Sequence, residues 1–426
     1  MSRDTIQACA AWTVWSLVVM LVPGVCSRRR SPSRSLVKLA NESHNSSFIF
    51  VLTFLTKPSS MGAVPHDFIS TNPITTNSHP IGGEQKWLDD FSHSVKPRAC
   101  HSHNDYLRSY PLFSALAAGC SSVEADVWLT EDGTDLLVGH DEASLTPNRA
   151  LTNMYLDPLL SILDSINAKP QGTTGTKTTQ PRGVFRTDPN ATLVLLIDVK
   201  TQSIDTWPLV VEQLSALRDK RYLTRCEDGG LVPGPITVVG SGNIVSERSV
   251  FTSINADPNR LFDEYHDTLL DAPLASLPQA ISTSQDSPDG LNQEWSNKTA
   301  YYASASFKAT IGSVITGFSP SQLSTLRSQI ATARRLGLKS RYWDTPDWPV
   351  GYRDYVWGVL EREGVGVLNV DDLEGAARSG WDAAGQAWAR DAAWTISIGA
   401  WAICCGVAVV ALSWKRQRAG AAQSSE

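Results

Sequence analysis

The chain has 426 residues, 42% of them hydrophobic and 19% charged, and its 37 Lys and Arg against 43 Asp and Glu give a formal net charge of −6. That composition excludes wholesale disorder, because the apolar share is enough for a core. It also lacks the basic excess that nucleic-acid binding requires. Seven Cys without a C-x-x-C pair argue against a structural zinc site or a disulfide-stapled miniprotein.

In chain order, residues 1–27 read as a signal peptide or signal anchor, since 8–26 are uncharged and follow Arg3 near the start. Residues 28–86 read as a linker, disordered by composition, and open on Arg28, Arg29 and Arg30, a basic run that opposes translocation. From 87 to 382, short β-branched runs alternate with helical periodicity. Strands are predicted at 98–102, 122–129, 193–199, 236–239, 268–270, 300–304, 338–343 and 366–370, and helices at 111–118, 207–220, 320–336 and 352–363. Ser319, Pro320 and Gly337 stand where a helix cap, first position and terminator belong. Residues 169–189 and 282–297 read as surface loops. Eight short strands interleaved with helices predict a parallel sheet, and eight is the number that closes a (β/α)8 TIM barrel.

Residues 392–414 read as a transmembrane helix, uncharged throughout and, at about 1.5 Å per residue, long enough to cross a ~30 Å hydrocarbon layer. Lys415, Arg416 and Arg418 follow, so 415–426 reads as a cytoplasmic tail. That orientation predicts a single-pass protein of the secretory pathway with its barrel lumenal or extracellular. Four N-x-S/T sequons, at Asn41, Asn45, Asn190 and Asn297, fit that side. Cys9 and Cys26 fall in the leader and Cys404 and Cys405 in the span. Cys100, Cys120 and Cys226 are left to the body, an odd number that allows one disulfide plus one thiol.

In a barrel of this kind the chemistry gathers at the C-terminal strand ends. Those ends carry His101, His103, Asn104 and Asp105, then Glu124 and Asp126, then His140, then Asp198 and Lys200. Strand alternation puts Glu124 with Asp126, and Asp198 with Lys200, on one face. Carboxylates on strands otherwise written in Val, Leu and Ile are costly without a cation or a hydrogen-bonded partner. Three acidic side chains plus an Asn carbonyl suit a hard divalent ion, Mg2+ or Ca2+, and two flanking His suit a general acid and base. Together they point to metal-assisted phosphodiester cleavage.

The runs His101-Ser102-His103-Asn104-Asp105-Tyr106, Glu124-Ala125-Asp126-Val127-Trp128, Leu137-Val138-Gly139-His140-Asp141 and Leu195 to Lys200 resemble the phosphatidylinositol phospholipase C and glycerophosphodiester phosphodiesterase superfamily. Within it, the stretch 98–374 resembles the fungal altered inheritance of mitochondria protein 6 family. The resemblance implies a PLC-like TIM barrel with His103 and His140 as the acid–base pair. It implies Asn104, Glu124, Asp126 and Asp198 as metal ligands, with Lys200 contacting phosphate. His101 is the alternative first histidine and otherwise a substrate contact, as is Trp343, placed to stack on a head group. The implied substrate is a phospholipid or glycerophosphodiester at a membrane. Glycerophosphodiesterases carry His-Arg-Gly where this chain has His-Asn-Asp, and Asp198 stands where relatives often have Glu.

Two rivals remain. A metal amidohydrolase also uses His-x-His but needs later His ligands, and His266 alone follows His140. A barrel that lost turnover and serves as a membrane-anchored binding or regulatory protein is the other.

Overall fold

The computed structural model describes residues 94–168, 180–227, 230–247, 265–277, 295–378, 401 and 404–407. The leader, the linker, the tail and the sequons Asn41 and Asn45 lie outside the described residues, as does the expected span 392–414 apart from 401 and 404–407. Among the described residues, no helix is long and apolar enough to cross a membrane. The chain divides into two compact units, Ser59–Gly385 and a second made of Met1–Pro58 with Gln386–Glu426.

The first unit is built of β1 (Arg98–Ser102), α1 (Phe113–Ala118), β2 (Cys120–Leu129), β3 (Leu136–Val138), α2 (Asp157–Asn167), β4 (Leu193–Val199), α3 (Ser203–Gln213), α4 (Ser215–Asp219), β5 (Arg225–Glu227), β6 (Gly230–Val232), β7 (Ile236–Gly242), α5 (Asn243–Ser246), β8 (Thr268–Pro273), β9 (Ala300–Ser306), α6 (Phe307–Thr310), α7 (Pro320–Arg335), β10 (Lys339–Trp343), α8 (Val350–Glu363), β11 (Val367–Val370) and α9 (Leu373–Ala377). Strands run β1-β11-β10-β9-β8-β7-β4-β2, every neighbouring pair parallel, and β1 pairs with β2 to close the ring. This is the eight-stranded parallel barrel that the alternation of elements predicts. Its strands are nearly all buried because helices cover the outside while side chains fill the inside.

Strand alternation explains how an apolar plug and a polar mouth share one barrel. Val194, Leu196, Val239, Tyr302 and Val367 form a buried cluster. Two residues further along the same strand faces stand Asp198, Ser241, Ser304 and Asn369. Register ties the layers together: Glu124 lies level with Leu196, Asp126 with Asp198, and Asp198 with Ser241. The lining therefore turns from apolar to polar within one step of the pleat.

Three local features position the site. β2 is long and, beyond β4, pairs antiparallel with β3 through Val127↔Val138. That hairpin returns the chain to the mouth, where the Gly139 N–H donates to Asp126 O at 3.2 Å. Cys100 in β1 and Cys120 in β2 form a disulfide, while Cys226 keeps its thiol, 3.5 Å from Lys298 O. Gly242 ends β7 at φ 69, where a Cβ would stand 2.5 Å from Asp198 Oδ1, so only glycine leaves that carboxylate its place.

The structure differs from the predicted elements in a few places. The helix expected at 207–220 begins four residues earlier and divides at Leu214, with Pro208 inside its first half. α2 and the β5–β6 hairpin were not expected. α7 has the expected cap: Ser319 accepts from Gln322 N, and Gln322 answers from its side chain.

Candidate active site

Each expected residue has a definite place at the C-terminal mouth or in the layer just below it. Asn104 follows β1 in a left-handed conformation, φ 49 and ψ 40, and starts a single 3-10 turn, Asp105–Leu107. Asp105 is buried and fixes that turn by accepting from Ser102 Oγ at 2.7 Å, Leu112 N at 2.6 Å and Tyr155 Oη at 3.0 Å. Arg108 ties the same turn to the β11 end through Asp371 O at 3.0 Å.

His103 is half-buried. Its Nδ1 pairs with Asp371 Oδ1 at 2.8 Å, and its Nε2 lies 3.8 Å from Glu124 Oε2. Burial lowers the His103 pKa, but the hydrogen bond to Asp371 and the charges of Glu124 and Asp371 outweigh it and raise the ring above its ordinary value. His103 thus has the orienting carboxylate that makes a good proton acceptor.

His101 is different. Its ring is fully buried, with Nδ1 2.6 Å from Ser122 Oγ and Nε2 3.0 Å from Arg341 Nη1. Burial and the Arg341 charge lower its pKa to about 4, so it stays neutral and accepts from the guanidinium. His101, expected as the alternative first histidine or a substrate contact, has both ring nitrogens engaged inside the barrel, and His103 stands nearer the mouth.

Glu124 and Asp126 are both buried and face different partners. Glu124 Oε2 accepts from Asn104 N at 3.0 Å and lies 3.6 Å from His101. Burial favours its neutral form, but the His101 ring and the charges of His103 and Arg341 prevail and hold it well below the usual carboxylate range. Asp126 Oδ2 lies 2.9 Å from Lys200 Nζ and 2.7 Å from Tyr106 Oη. Burial and the Glu124 charge push Asp126 up to about 7 against the pull of Lys200. Lys200 also reaches Asp198 Oδ1 at 2.8 Å, and these two carboxylates overcome the effect of burial to keep it an ammonium.

The expected set of Mg2+ or Ca2+ ligands, Asn104, Glu124, Asp126 and Asp198, is not assembled around one point. Asn104 Oδ1 lies 2.7 Å from Tyr106 Oη, Asp198 Oδ2 accepts from Ser241 Oγ at 2.8 Å, and Lys200 takes the place between Asp126 and Asp198. Among the described residues, no group of three or more His, Cys, Asp or Glu is placed to hold a metal ion. As placed, these donors do not fit a resident divalent ion; the positive charge among them is the lysine's.

His140 stands out from the mouth, its side chain 60% exposed, with Nδ1 3.1 Å from Tyr106 Oη and 3.9 Å from Asp126 Oδ2. Trp343 ends β10 on the rim and is also exposed. Below them Arg341, itself buried, bonds Ser304 Oγ at 2.9 Å, Asn369 Oδ1 at 3.1 Å and Asp271 Oδ2 at 3.2 Å. The sequence alone singles out none of Arg341, Tyr106 and Asp371. Tyr106 lay inside the quoted His-Asn-Asp-Tyr run, but the turn at Asn104 breaks the strand period that would have aimed it inward.

Residues 89–261 match the model of the AIM6-like phosphodiesterase domain. The chain is 36% identical over 314 residues to the altered inheritance of mitochondria protein 6 homolog of Arthroderma benhamiae, covering 71% of this chain and 89% of that protein. This chain belongs to the altered inheritance of mitochondria protein 6 family. Other members of the family are the protein of Eremothecium gossypii, 34% identical over 65% of this chain and 68% of its own, and that of Saccharomyces cerevisiae S288c, 32% identical over 66% and 70%. Solved structures of a glycerophosphoryl diester phosphodiesterase from Parabacteroides distasonis and a phosphatidylinositol-specific phospholipase C from Listeria monocytogenes are also similar. They are 11% and 12% identical, cover 69% of this chain and 90% and 97% of their own, and give TM-scores of 0.34 and 0.32, too distant to decide anything about the site.

Proposed function

We propose that this chain hydrolyses a phospholipid or lipid-derived phosphodiester by two-histidine acid–base catalysis. The observation that carries the reading is the pair His103 and His140 at one barrel mouth. Each has Nδ1 against a protein oxygen, Asp371 for the first and Tyr106 for the second, which leaves each Nε2 for substrate. His103 takes the proton of the attacking oxygen as the new P–O bond forms. His140 gives a proton to the leaving oxygen as the old one breaks. Lys200 neutralises Asp126 and Asp198 and presents an ammonium to the phosphoryl oxygens, where charge builds in the transition state.

A lipid substrate is supported by the rim. Leu107, Ile315, Trp343 and Val350 are exposed, and all stand at or beyond the C-terminal ends of β1, β9 and β10, strands that lie together in the order β9-β10-β11-β1. Glu124, Asp126, Asp198 and Lys200 stand at β2 and β4, across the mouth from β9 and β10. A secretory, membrane-associated setting is supported by the Cys100–Cys120 disulfide, which persists in oxidising compartments, and by exposed sequons at Asn190 and Asn297.

The test is hydrolysis by the full chain, with Mg2+ or Ca2+ supplied, of glycerophosphodiesters, phosphatidylinositol and sphingomyelin. Release of a phosphorylated product from one class supports the reading and names the substrate. Folded protein that turns over none of them overturns it in favour of the binding-protein alternative.

A further inference from the structure

Tyr106 occupies a position that neither acid–base histidine explains. Its side chain is completely buried, yet its hydroxyl stands 2.7 Å from Asn104 Oδ1, 2.7 Å from Asp126 Oδ2 and 3.1 Å from His140 Nδ1. Its backbone is held as firmly as its ring: the Tyr106 carbonyl accepts from Arg149 Nη2, and Asp105 beside it is fixed by three donors. His140, by contrast, projects from the loop after β3 and is mostly exposed. The phenol is thus a rigid inner post for a histidine that has little else to hold it.

A phenol has one proton and two lone pairs. Once Asp126 is ionised, above about pH 7, its carboxylate is the stronger acceptor available to the phenol, because a hydrogen bond to an ionised group is roughly twice as strong as a neutral one. With its proton committed there, the Tyr106 oxygen offers a lone pair to His140. We infer that Tyr106 is the positioning residue of the general acid: it accepts from Nδ1–H of His140 and thereby fixes the ring with Nε2 facing the leaving oxygen. In the step itself the bond from phosphorus to the leaving oxygen breaks, and that oxygen takes the Nε2 proton of His140. The Nδ1 proton stays between His140 and Tyr106, so the ring passes from the imidazolium to the neutral Nδ1–H form. Asp126 accepts the phenol proton's hydrogen bond throughout and takes no proton.

This inference rests on the two-histidine reading, and the experiment separates the two. The full chain and its Tyr106→Phe variant are compared on two diesters of the same acyl-free phosphate, one with an alkyl and one with a nitrophenyl leaving group. An alkoxide leaving group needs a proton; a nitrophenolate does not. The expected result is a kcat loss of about tenfold or more on the alkyl diester, a part of the 10²–10⁴ that a general acid supplies, with KM and the nitrophenyl rate unchanged. A variant as fast as wild type on the alkyl diester overturns the inference, as does an equal loss on both substrates. Wild-type protein inactive on both overturns the hydrolase reading itself, and the inference with it. Because Tyr106→Phe could disturb the fold, a second measurement uses the wild type alone. The 15N signals of His140 must show Nδ1 carrying the proton; a bare Nδ1 that accepts from Tyr106 overturns the assignment.

Discussion

His101 and His103 show what position along a strand decides. Both belong to one inward face, two residues apart, and the same period that brings them together cannot say which is deeper. Depth separates them: His101 lies level with Ser122 and Asn369 and is sealed by Arg341, whereas His103 stands past the strand end beside Asp371. The groups facing His103 are Asp371 from the β11 end, Glu124 from β2, and Arg341 from β10. Two carboxylates outweigh burial and the guanidinium, so the ring titrates above 6.5. A base must be neutral to act. Activity therefore falls as pH drops through that raised value, and the acid limb of kcat/KM is expected above pH 6.5. Asp371→Asn removes one hydrogen bond and one charge that raise the pKa, leaving burial dominant. Its acid limb is expected at lower pH than wild type, and a pH–rate profile with an unmoved limb would count against the pairing. The buried Arg341 was not legible for a plainer reason: one basic residue in Arg341-Tyr342-Trp343 has no periodic signature, and only the barrel's closure brings Asp271, Asn369 and Glu124 around it.

Among the elements, strands were read more faithfully than the connections between them. All eight barrel strands fall where β-branched and aromatic runs predicted them, with ends moved by a few residues. The ends moved because polar residues such as Ser241 and Ser306 continue the ladder once neighbours supply its hydrogen bonds. α2 was missed although its signal was present. Leu159, Ile162, Leu163 and Ile166 recur at helical spacing behind Pro158, and all are buried. β3 escaped because three residues are too few to show a period, yet it carries His140 to the mouth. The disulfide was open in the sequence, where three cysteines allowed several pairings. Adjacency of β1 and β2 selects Cys100 and Cys120, whose Cα atoms are 4.7 Å apart. Closing a loop of 20 residues, it should contribute about 3 kcal/mol by restricting the unfolded chain. A Cys100→Ser, Cys120→Ser double variant is expected to lose about that much in denaturant unfolding, with the thiol of Cys226 as the body's remaining titre. An unchanged midpoint would mean that the β1–β2 ladder needs no staple.

At the scale of the whole molecule, one barrel presents two kinds of surface at one end. The histidines, the carboxylates and Lys200 line the mouth at β1, β2, β4 and β11, and exposed apolar side chains stand at or beyond the ends of β9, β10 and β1. A soluble diester needs only the first surface, whereas a diester embedded in a lipid aggregate meets both. Leu107→Ser with Ile315→Ser is expected to raise the apparent KM for lipid vesicles or micelles by at least about tenfold, since each Leu-sized apolar contact is worth about 1.5 kcal/mol or more when fully buried. The KM for a water-soluble glycerophosphodiester should not move; an equal effect on both substrates would remove the lipid-facing role of the rim. The measurement that tests the central claim most directly is the rate of phosphodiester hydrolysis by the full chain beside its His103→Ala and His140→Ala variants, each checked for folding by circular dichroism. The account predicts turnover by the wild type and a loss of about 10² to 10⁴ in each variant, the range of a positioned general acid or base. Variants that fold and turn over as the wild type does would contradict it.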